Sequence, residues 1–152
     1  MLQDEMRNLY QEVIFDHNRN PRNFHVMENA NRVVDGYNPL CGDRLTLYLS
    51  IDDDDMIKDA SFQGEGCAIS TASVSLMTEM IKGKTVDQAE QLFEQFHSIT
   101  TSHDDEIKLE ELGKLAVLAG VREYPSRVKC ATLPWHTMNA ALQNEATSVT
   151  TE

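Results

Sequence analysis

Residues 45 to 51 read Leu45-Thr46-Leu47-Tyr48-Leu49-Ser50-Ile51, an alternation of apolar and polar side chains. Side chains of a β-strand point alternately to its two faces, so this stretch predicts a strand with one buried face. The acidic run Asp52 to Asp55 follows as a solvated turn, and residues 57 to 63 return as a further strand. These segments together predict a β-hairpin in the middle of the chain.

Outside the hairpin the apolar residues recur at helical rather than strand spacing. Four segments have this spacing and predict helices: 3–16, 67–83, 107–119 and 127–144. A fifth helix is predicted to begin at the capping box Thr85-Val86-Asp87-Gln88. A third strand is predicted at 32–37 and a polar linker at 98–106. The order predicts an α+β fold, with an N-terminal helix, a small three-stranded antiparallel sheet and C-terminal helices packed on it.

Length and composition limit the classes of function. A chain of 152 residues suits one domain, which we expect to span 1–145 with a frayed tail at 146–152. The net charge of −12 argues against binding to nucleic acid. No apolar run approaches the roughly 20 residues of a membrane span. The first residues lack the pattern of a signal peptide, which favours a cytoplasmic protein without disulfides.

The first of three cysteines lies in the loop Asn38-Pro39-Leu40-Cys41-Gly42-Asp43. In an extended segment Cys41 and Asp43 would point the same way, and Gly42 would leave room between them. A thiolate and a carboxylate two positions apart can bind one cation. The alternative is a turn in which Asp43 only accepts hydrogen bonds from nearby backbone N–H groups.

The second cysteine, Cys67, follows Gly64-Glu65-Gly66 at the point where strand periodicity changes to helical periodicity. We therefore expect a helix to begin at or next to Cys67. The N-terminus of a helix stabilises negative charge, so the thiolate form is favoured there. The alternative is that cysteine serves only as a small apolar residue in a tight turn.

The third cysteine, Cys130, lies beside two cations in Arg127-Val128-Lys129-Cys130. Positive charge lowers the pKa of a thiol and increases the reactive thiolate fraction. The three cysteines thus fall at three element boundaries, and each has a feature that favours its thiolate. Together with Asp43 they could form a closed tetrahedral site for zinc, which accepts sulfur and oxygen ligands. The residues alone predict a metal site or a reactive thiol, and three ordinary buried cysteines remain the alternative.

Several motifs in the same order resemble the NifU/IscU family of iron–sulfur cluster assembly proteins. The resemblance extends from Tyr10 to about Leu142. It is carried by Tyr10-x-x-Val13-Ile14-x-Asp16-His17, Pro21-Arg22-Asn23, Asn38-Pro39-x-Cys41-Gly42-Asp43, Phe62-x-Gly64-x-Gly66-Cys67-Ala68-Ile69-Ser70 and Arg127-x-Lys129-Cys130-Ala131.

Within this family the chain is most similar to the SufU type. IscU-type members carry a histidine immediately before the third cysteine, whereas this chain has Lys129 there. The SufU type also has an extra segment before that cysteine, and residues of about 98–120 look like this insertion. Tyr10 and Arg22 lie in family motifs and are expected to contact a partner.

The resemblance implies a zinc ion bound by Cys41, Asp43, Cys67 and Cys130, with Arg127 and Lys129 as supporting cations. It implies a partner, a pyridoxal-phosphate cysteine desulfurase of the SufS type, within the iron–sulfur assembly machinery. Cys41 matches the cysteine that accepts persulfide sulfur, so the implied activity is a zinc-dependent sulfurtransferase.

Two rival functions use the same residues. In one, the protein is a scaffold on which an iron–sulfur cluster is assembled on the cysteines. In the other, zinc only stabilises an interaction module that performs no sulfur chemistry. The absence of a histidine before Cys130 favours the transferase over the scaffold.

Overall fold

The computed structural model of the protein describes residues 2–39, 42–102, 118, 121, 124–144 and 148–150. The elements are helix α1 (Leu2–Arg19), strands β1 (Arg32–Asn38), β2 (Asp43–Ile51) and β3 (Ile57–Glu65), helices α2 (Ala68–Ile81) and α3 (Val86–Ser102), a 3₁₀ turn (Pro125–Arg127), helix α4 (Val128–Gln143) and strand β4 (Ser148–Thr150). The α+β class expected from the sequence is confirmed.

The central hairpin is formed by β2 and β3, as the alternating segments predicted. The two strands are antiparallel, with Leu47 opposite Phe62 and Ile51 opposite Ile57. The inward face of β2 is almost completely buried, since Leu47 and Leu49 have no exposed surface. The other face of β2 carries residues such as Tyr48 that are only partly buried.

The sheet has four strands in the order β3-β2-β1-β4, so the expectation of three antiparallel strands was incomplete. The additional strand β4 pairs parallel to β1, with Asp35 opposite Ser148 and Tyr37 opposite Thr150. These three residues lie in the segment expected to be frayed. Strand β4 is short and has no alternating pattern of its own, and Val149 packs against the core.

The helices cover the inward face of the sheet and bury the core against it. Trp135 of α4 lies against Phe96 of α3 with ring centroids 5.0 Å apart, and its indole N–H donates to Ser73 Oγ of α2 at 3.1 Å. Pro134, which the sequence placed either in the first turn of the last helix or at a kink, lies inside α4.

The capping box before α3 is confirmed by its two reciprocal hydrogen bonds. The Thr85 hydroxyl accepts from the Gln88 N–H at 3.1 Å, and the Gln88 side chain accepts from the Thr85 N–H at 3.0 Å. The polar linker expected at 98–106 is wrong for its first half, because α3 continues to Ser102 with Ile99 fully buried. Most of the predicted helix 107–119 and of the insertion 98–120 lies outside the described residues.

Among the helices in the described part of the chain, none is both long enough and apolar enough to cross a bilayer.

Candidate metal centre

Three of the four predicted ligands come together where three elements begin. Asp43 is the first residue of β2, Cys67 immediately precedes α2, and Cys130 lies in the first turn of α4. One carboxylate oxygen and the two Sγ atoms all lie within 4.8 Å of one another. Cys41, the fourth predicted ligand, lies outside the described residues.

The Asp43 carboxylate has no exposed surface and is fixed by the backbone of the Cys67 loop. Its Oδ1 accepts a hydrogen bond from the Cys67 N–H at 2.8 Å, and its Oδ2 lies 3.9 Å from Cys67 Sγ. Gly66 permits this approach, because a Cβ there would lie 2.9 Å from Oδ1. Asp43 therefore accepts from a donor 24 positions away in the sequence, and it is not limited to the nearby N–H groups of the alternative.

Cys67 forms the N-cap of α2, which confirms the predicted start of that helix. Its Sγ accepts a hydrogen bond from the Ser70 N–H at 3.4 Å, in the way that a serine or aspartate side chain usually caps a helix. The side chain is only partly buried. A thiolate here gains both a backbone donor and the favourable end of the helix dipole.

Cys130 is fully buried, and a side-chain amide contacts its sulfur. The Asn38 amide donates a hydrogen bond to Cys130 Sγ over 3.7 Å, and both residues have no exposed surface. Sequence patterns assigned Asn38 no role beyond its place in an Asn-Pro turn. Its only signal was its position three residues before Cys41 in the same motif.

The backbone angle at position 42 is one that favours glycine. Its φ of +70° lies in the left-handed region, where residues with a side chain are strained. Apart from its two chain neighbours, no described residue has an atom within 4 Å of a Cβ added there, so the backbone angle is what requires glycine. The assumption of an extended chain at Gly42, on which the common direction of Cys41 and Asp43 rested, is therefore wrong.

The predicted supporting cations precede Cys130 where α4 begins. Arg127 ends the 3₁₀ turn just before α4, and Lys129 lies in the first turn of α4. Both side chains are exposed. Arg127 is close enough to the phenol of Tyr10 to favour its ionised form. Neither residue is among the grouped ligand atoms.

Tyr10, which was expected on a partner surface, is instead buried beside the sulfur cluster with 8% of its surface exposed. Its ring stacks on Tyr124 with centroids 6.2 Å apart. Burial raises the pKa of Tyr10 to about 12, and Tyr124, Cys67 and Cys130 act in the same direction, whereas Arg127 lowers it. Its hydroxyl is therefore a neutral hydrogen-bond donor at physiological pH.

Arg22, the other residue expected at a partner surface, is one-third exposed and holds the end of α1. Its guanidinium lies 2.7 Å from the Asp16 carboxylate, and its backbone N–H donates to Ser75 Oγ at 2.9 Å. These contacts give Arg22 a role within the fold, and its contact with a partner stays a prediction.

The chemistry of the cluster suits a divalent metal such as zinc. Two thiol sulfurs and one carboxylate oxygen are zinc ligands, and a fourth would complete a tetrahedron. The buried Asp43 forms no ion pair with a lysine or arginine in the described part of the chain. A buried carboxylate without a compensating cation is unfavourable, so a metal ion would satisfy both its charge and its position.

Comparison with known proteins shows similarity over nearly the whole chain. Residues 9–131 match the family model of the NifU-like N-terminal domain. The chain is 44% identical over 139 residues to the zinc-dependent sulfurtransferase SufU of Bacillus subtilis strain 168, covering 90% of this chain and 91% of that protein. It is 37% identical over 136 residues to the iron–sulfur cluster assembly scaffold protein IscU of Thermotoga maritima, covering 89% and 93%.

A solved structure agrees with the fold. It is the crystal structure of a candidate iron–sulfur cluster assembly scaffold protein for the SUF system from Fervidobacterium islandicum AW-1, with a TM-score of 0.81 and 39% identity. The match covers 88% of this chain and 96% of that one. The chain is therefore a member of the NifU/IscU family of iron–sulfur cluster assembly proteins and resembles its SufU type, as its motifs predicted.

Proposed function

We propose that this protein is a zinc-dependent sulfur carrier of iron–sulfur cluster assembly. It accepts persulfide sulfur from a pyridoxal-phosphate cysteine desulfurase of the SufS type and passes it on. The observation that carries the proposal is the grouping of Asp43, Cys67 and Cys130 within 4.8 Å, with one sulfur partly exposed and the other buried. The name of the Bacillus subtilis relative, a zinc-dependent sulfurtransferase, supports it.

Zinc would be held by Cys41, Asp43, Cys67 and Cys130. When bound, zinc keeps its thiol ligands deprotonated and withholds them from reaction until a ligand is displaced. Four anionic ligands outweigh the charge of a divalent cation, and the exposed Arg127 and Lys129 offset the excess. Asp43 is suited to remain in place, because its Oδ1 is fixed by the Cys67 N–H and a carboxylate is not altered by sulfur exchange.

Sulfur transfer itself is a thiol exchange at the cysteine that matches the family acceptor, Cys41. Its thiolate attacks the outer sulfur of the desulfurase persulfide, and a new sulfur–sulfur bond forms. The original sulfur–sulfur bond breaks, and its electron pair leaves on the desulfurase cysteine as a thiolate. The proton stays on the transferred sulfur, and no external oxidant or reductant is consumed.

The test is desulfurase turnover with and without this protein, with metal content measured on the same preparation. Turnover should rise several-fold with the wild type and should not rise with Cys41→Ala. A second variant, Cys41→Asp, offers zinc an anionic oxygen but no sulfur, so it separates loss of the acceptor from loss of metal. Unchanged turnover with the zinc-loaded wild type would contradict the proposal.

A scaffold for an iron–sulfur cluster is the second candidate, favoured by the name of the Thermotoga maritima relative. A scaffold should develop visible absorption when it is supplied with iron and sulfide without air. The position before Cys130 is Lys129, an exposed cation without a ligand atom for iron, which weighs against this candidate. A zinc-stabilised interaction module would instead bind zinc, leave turnover unchanged and unfold on chelation.

A further inference from the structure

The hydroxyl of Tyr10 has no hydrogen-bond partner in the part of the chain that the structure describes. The residue is more than nine-tenths buried, so water is largely excluded from this oxygen. Burying a hydroxyl without a partner is unfavourable, and such a group usually marks the place of a water, an ion or a ligand. The site function proposed above makes no use of this donor.

The packing of α1 on α2 places Tyr10 beside the start of α2. His17 Nδ1, near the end of α1, lies 2.7 Å from Ser75 Oγ in the middle of α2. Earlier in α1, Tyr10 stacks on Tyr124 in the segment that leads into α4. Cys130, in the first turn of α4, lies beside Cys67 at the start of α2. The helices α1 and α2 therefore run side by side in the same direction. Seven residues before His17 is Tyr10, and seven before Ser75 is Ala68, which directly follows Cys67. Seven residues are about two helical turns, so both steps return to the same helix face.

The ring of Tyr10 also contacts the segment that leads to the other sulfur. Its stacking partner, Tyr124, immediately precedes the 3₁₀ turn Pro125–Arg127, and Cys130 follows in the first turn of α4. The phenol thus lies between the beginnings of the two helices that contribute the sulfurs. The electrostatic effect of Cys67 and Cys130 on Tyr10 agrees with this placement.

We propose that the Tyr10 hydroxyl donates a hydrogen bond to the sulfur that this site carries. The inference rests on the proposed sulfur transfer and adds a residue that touches the cargo. The recipient is the outer sulfur of a persulfide, which is the anionic end of that group when it is deprotonated. A hydrogen bond to a charged acceptor in a place that excludes water is stronger than the same bond in water.

In the exchange step Tyr10 acts only as a hydrogen-bond donor, and no proton or electron is taken from it. The acceptor thiolate attacks the outer sulfur of a protonated persulfide, the old sulfur–sulfur bond breaks, and the donor thiolate leaves with the electron pair. The negative charge moves from the acceptor to the donor, and the proton remains on the transferred sulfur. Tyr10 keeps its own proton throughout and holds the outer sulfur while this bond is exchanged, and it stabilises the persulfide after it ionises.

The test compares the zinc-loaded wild type with Tyr10→Phe, which removes only the hydroxyl and keeps the stacked ring. Each protein is loaded with excess glutathione persulfide, a donor that needs no desulfurase and whose own sulfur can displace a cysteine from zinc. The lifetime of the protein persulfide is followed by intact-mass spectrometry. The lifetime should fall about tenfold in Tyr10→Phe, the size expected for one hydrogen bond to a charged group. The tyrosine ultraviolet difference spectrum on loading should disappear in the same variant.

Two controls separate this role from a structural one. Tyr48→Phe removes a phenolic hydroxyl from the outward face of β2. It should leave the persulfide lifetime and the tyrosine difference spectrum at their wild-type values. Zinc content and thermal midpoint of Tyr10→Phe should equal or exceed those of the wild type, since the lost hydroxyl had no partner. Equal persulfide lifetimes in wild type and Tyr10→Phe would overturn the inference, as would equal loss in Tyr48→Phe.

The result is independent of the partner enzyme, so the two proposals can fail separately. If the desulfurase is not stimulated but the persulfide lifetime depends on Tyr10, the proposed function fails and the donor role stands. If turnover rises equally with wild type and Tyr10→Phe and the lifetimes are equal, the function stands and the donor role is wrong.

Discussion

Cys67 and Cys130 both place a sulfur at the beginning of a helix, but the surroundings of the two sulfurs differ. Cys67 is partly buried and caps α2, so its sulfur accepts a backbone N–H from Ser70. Cys130 is fully buried and its sulfur accepts a side-chain N–H from Asn38. The two halves of one cluster therefore face solvent to different degrees.

This difference suggests a division of roles within one metal site. A buried sulfur with a fixed donor can hold a metal, but it cannot be reached by a partner without opening the fold. A partly exposed sulfur at a helix N-terminus can be reached and is favoured as a thiolate. We expect Cys130 to act as an anchor, and sulfur exchange to be confined to the exposed side of the cluster.

The largest expected effect is on thiol reactivity in the metal-free protein. With zinc removed by a chelator under native conditions, iodoacetamide should modify Cys67 at least about 100-fold faster than Cys130, because Cys130 must wait for local unfolding. Peptide mass spectrometry measures both rates in one sample. Fluorescence of Trp135, the single tryptophan, checks that the fold persists. Equal rates would remove the distinction between the two sulfurs.

The next effect concerns stability, again in the metal-free protein. Cys130→Ala should lower the free energy of unfolding by about 2 kcal/mol, since it leaves a cavity and removes the sulfur that accepts from the Asn38 amide. Cys67→Ala removes only a helix cap and should cost about 0.5–1 kcal/mol. Urea unfolding of both variants measures the difference, and the reverse order would contradict the burial argument.

A smaller effect should follow from changing the donor to Cys130. Asn38→Asp keeps the shape but replaces the N–H with an oxygen that repels the thiolate, so zinc affinity should fall about tenfold. Competition against a chromophoric chelator measures the affinity. Asn139→Asp, farther along α4, adds the same charge away from the sulfur and serves as the control. No difference between the two variants would show that the 3.7 Å contact does not act on the metal site.

The smallest effect is a pH dependence of stability that arises from His136, which lies in α4 as Cys130 does. Burial lowers the pKa of His136 in α4 below its ordinary 6.5, and the nearby His97 of α3 acts in the same direction. The unfolded chain then binds the proton more readily, so stability is lost as pH falls below about 6.5. Between pH 7.5 and 5.5, His136→Gln should lose less than the wild type, by under about 1 kcal/mol. Identical pH profiles would contradict this assignment.

Local sequence patterns predicted the parts of the fold that depend on neighbours in the chain. The hairpin, the capping box at Thr85 and the start of α2 at Cys67 each follow from side chains within a few positions. Strand β4 was missed because it pairs with β1, at the other end of the chain. The polar composition of residues 98–106 predicted a linker there, but α3 continues to Ser102. Packing against the core buries Ile99, and the polarity of its neighbours in sequence does not indicate this.

The candidate site was predictable in its ligands but not in their surroundings. Asp43, Cys67 and Cys130 each have a local signal, and the family resemblance links them to one site, where their ligand atoms lie within 4.8 Å of one another. Asn38 reaches Cys130 across 92 positions of sequence, and no local pattern encodes such a contact. The helical pattern included Tyr10 among apolar positions, but it could not indicate that its hydroxyl finds no partner among the described residues.

The most direct test of a shared metal site is the zinc K-edge X-ray absorption spectrum of the purified, zinc-loaded protein. The geometry and the family motifs predict about one zinc per chain with three sulfurs at about 2.3 Å and one oxygen at about 2.0–2.2 Å. Cys130→Ala should lose a sulfur from this shell or fail to retain zinc. A shell without sulfur, or one unchanged in Cys130→Ala, would contradict the convergence of these side chains on one ion.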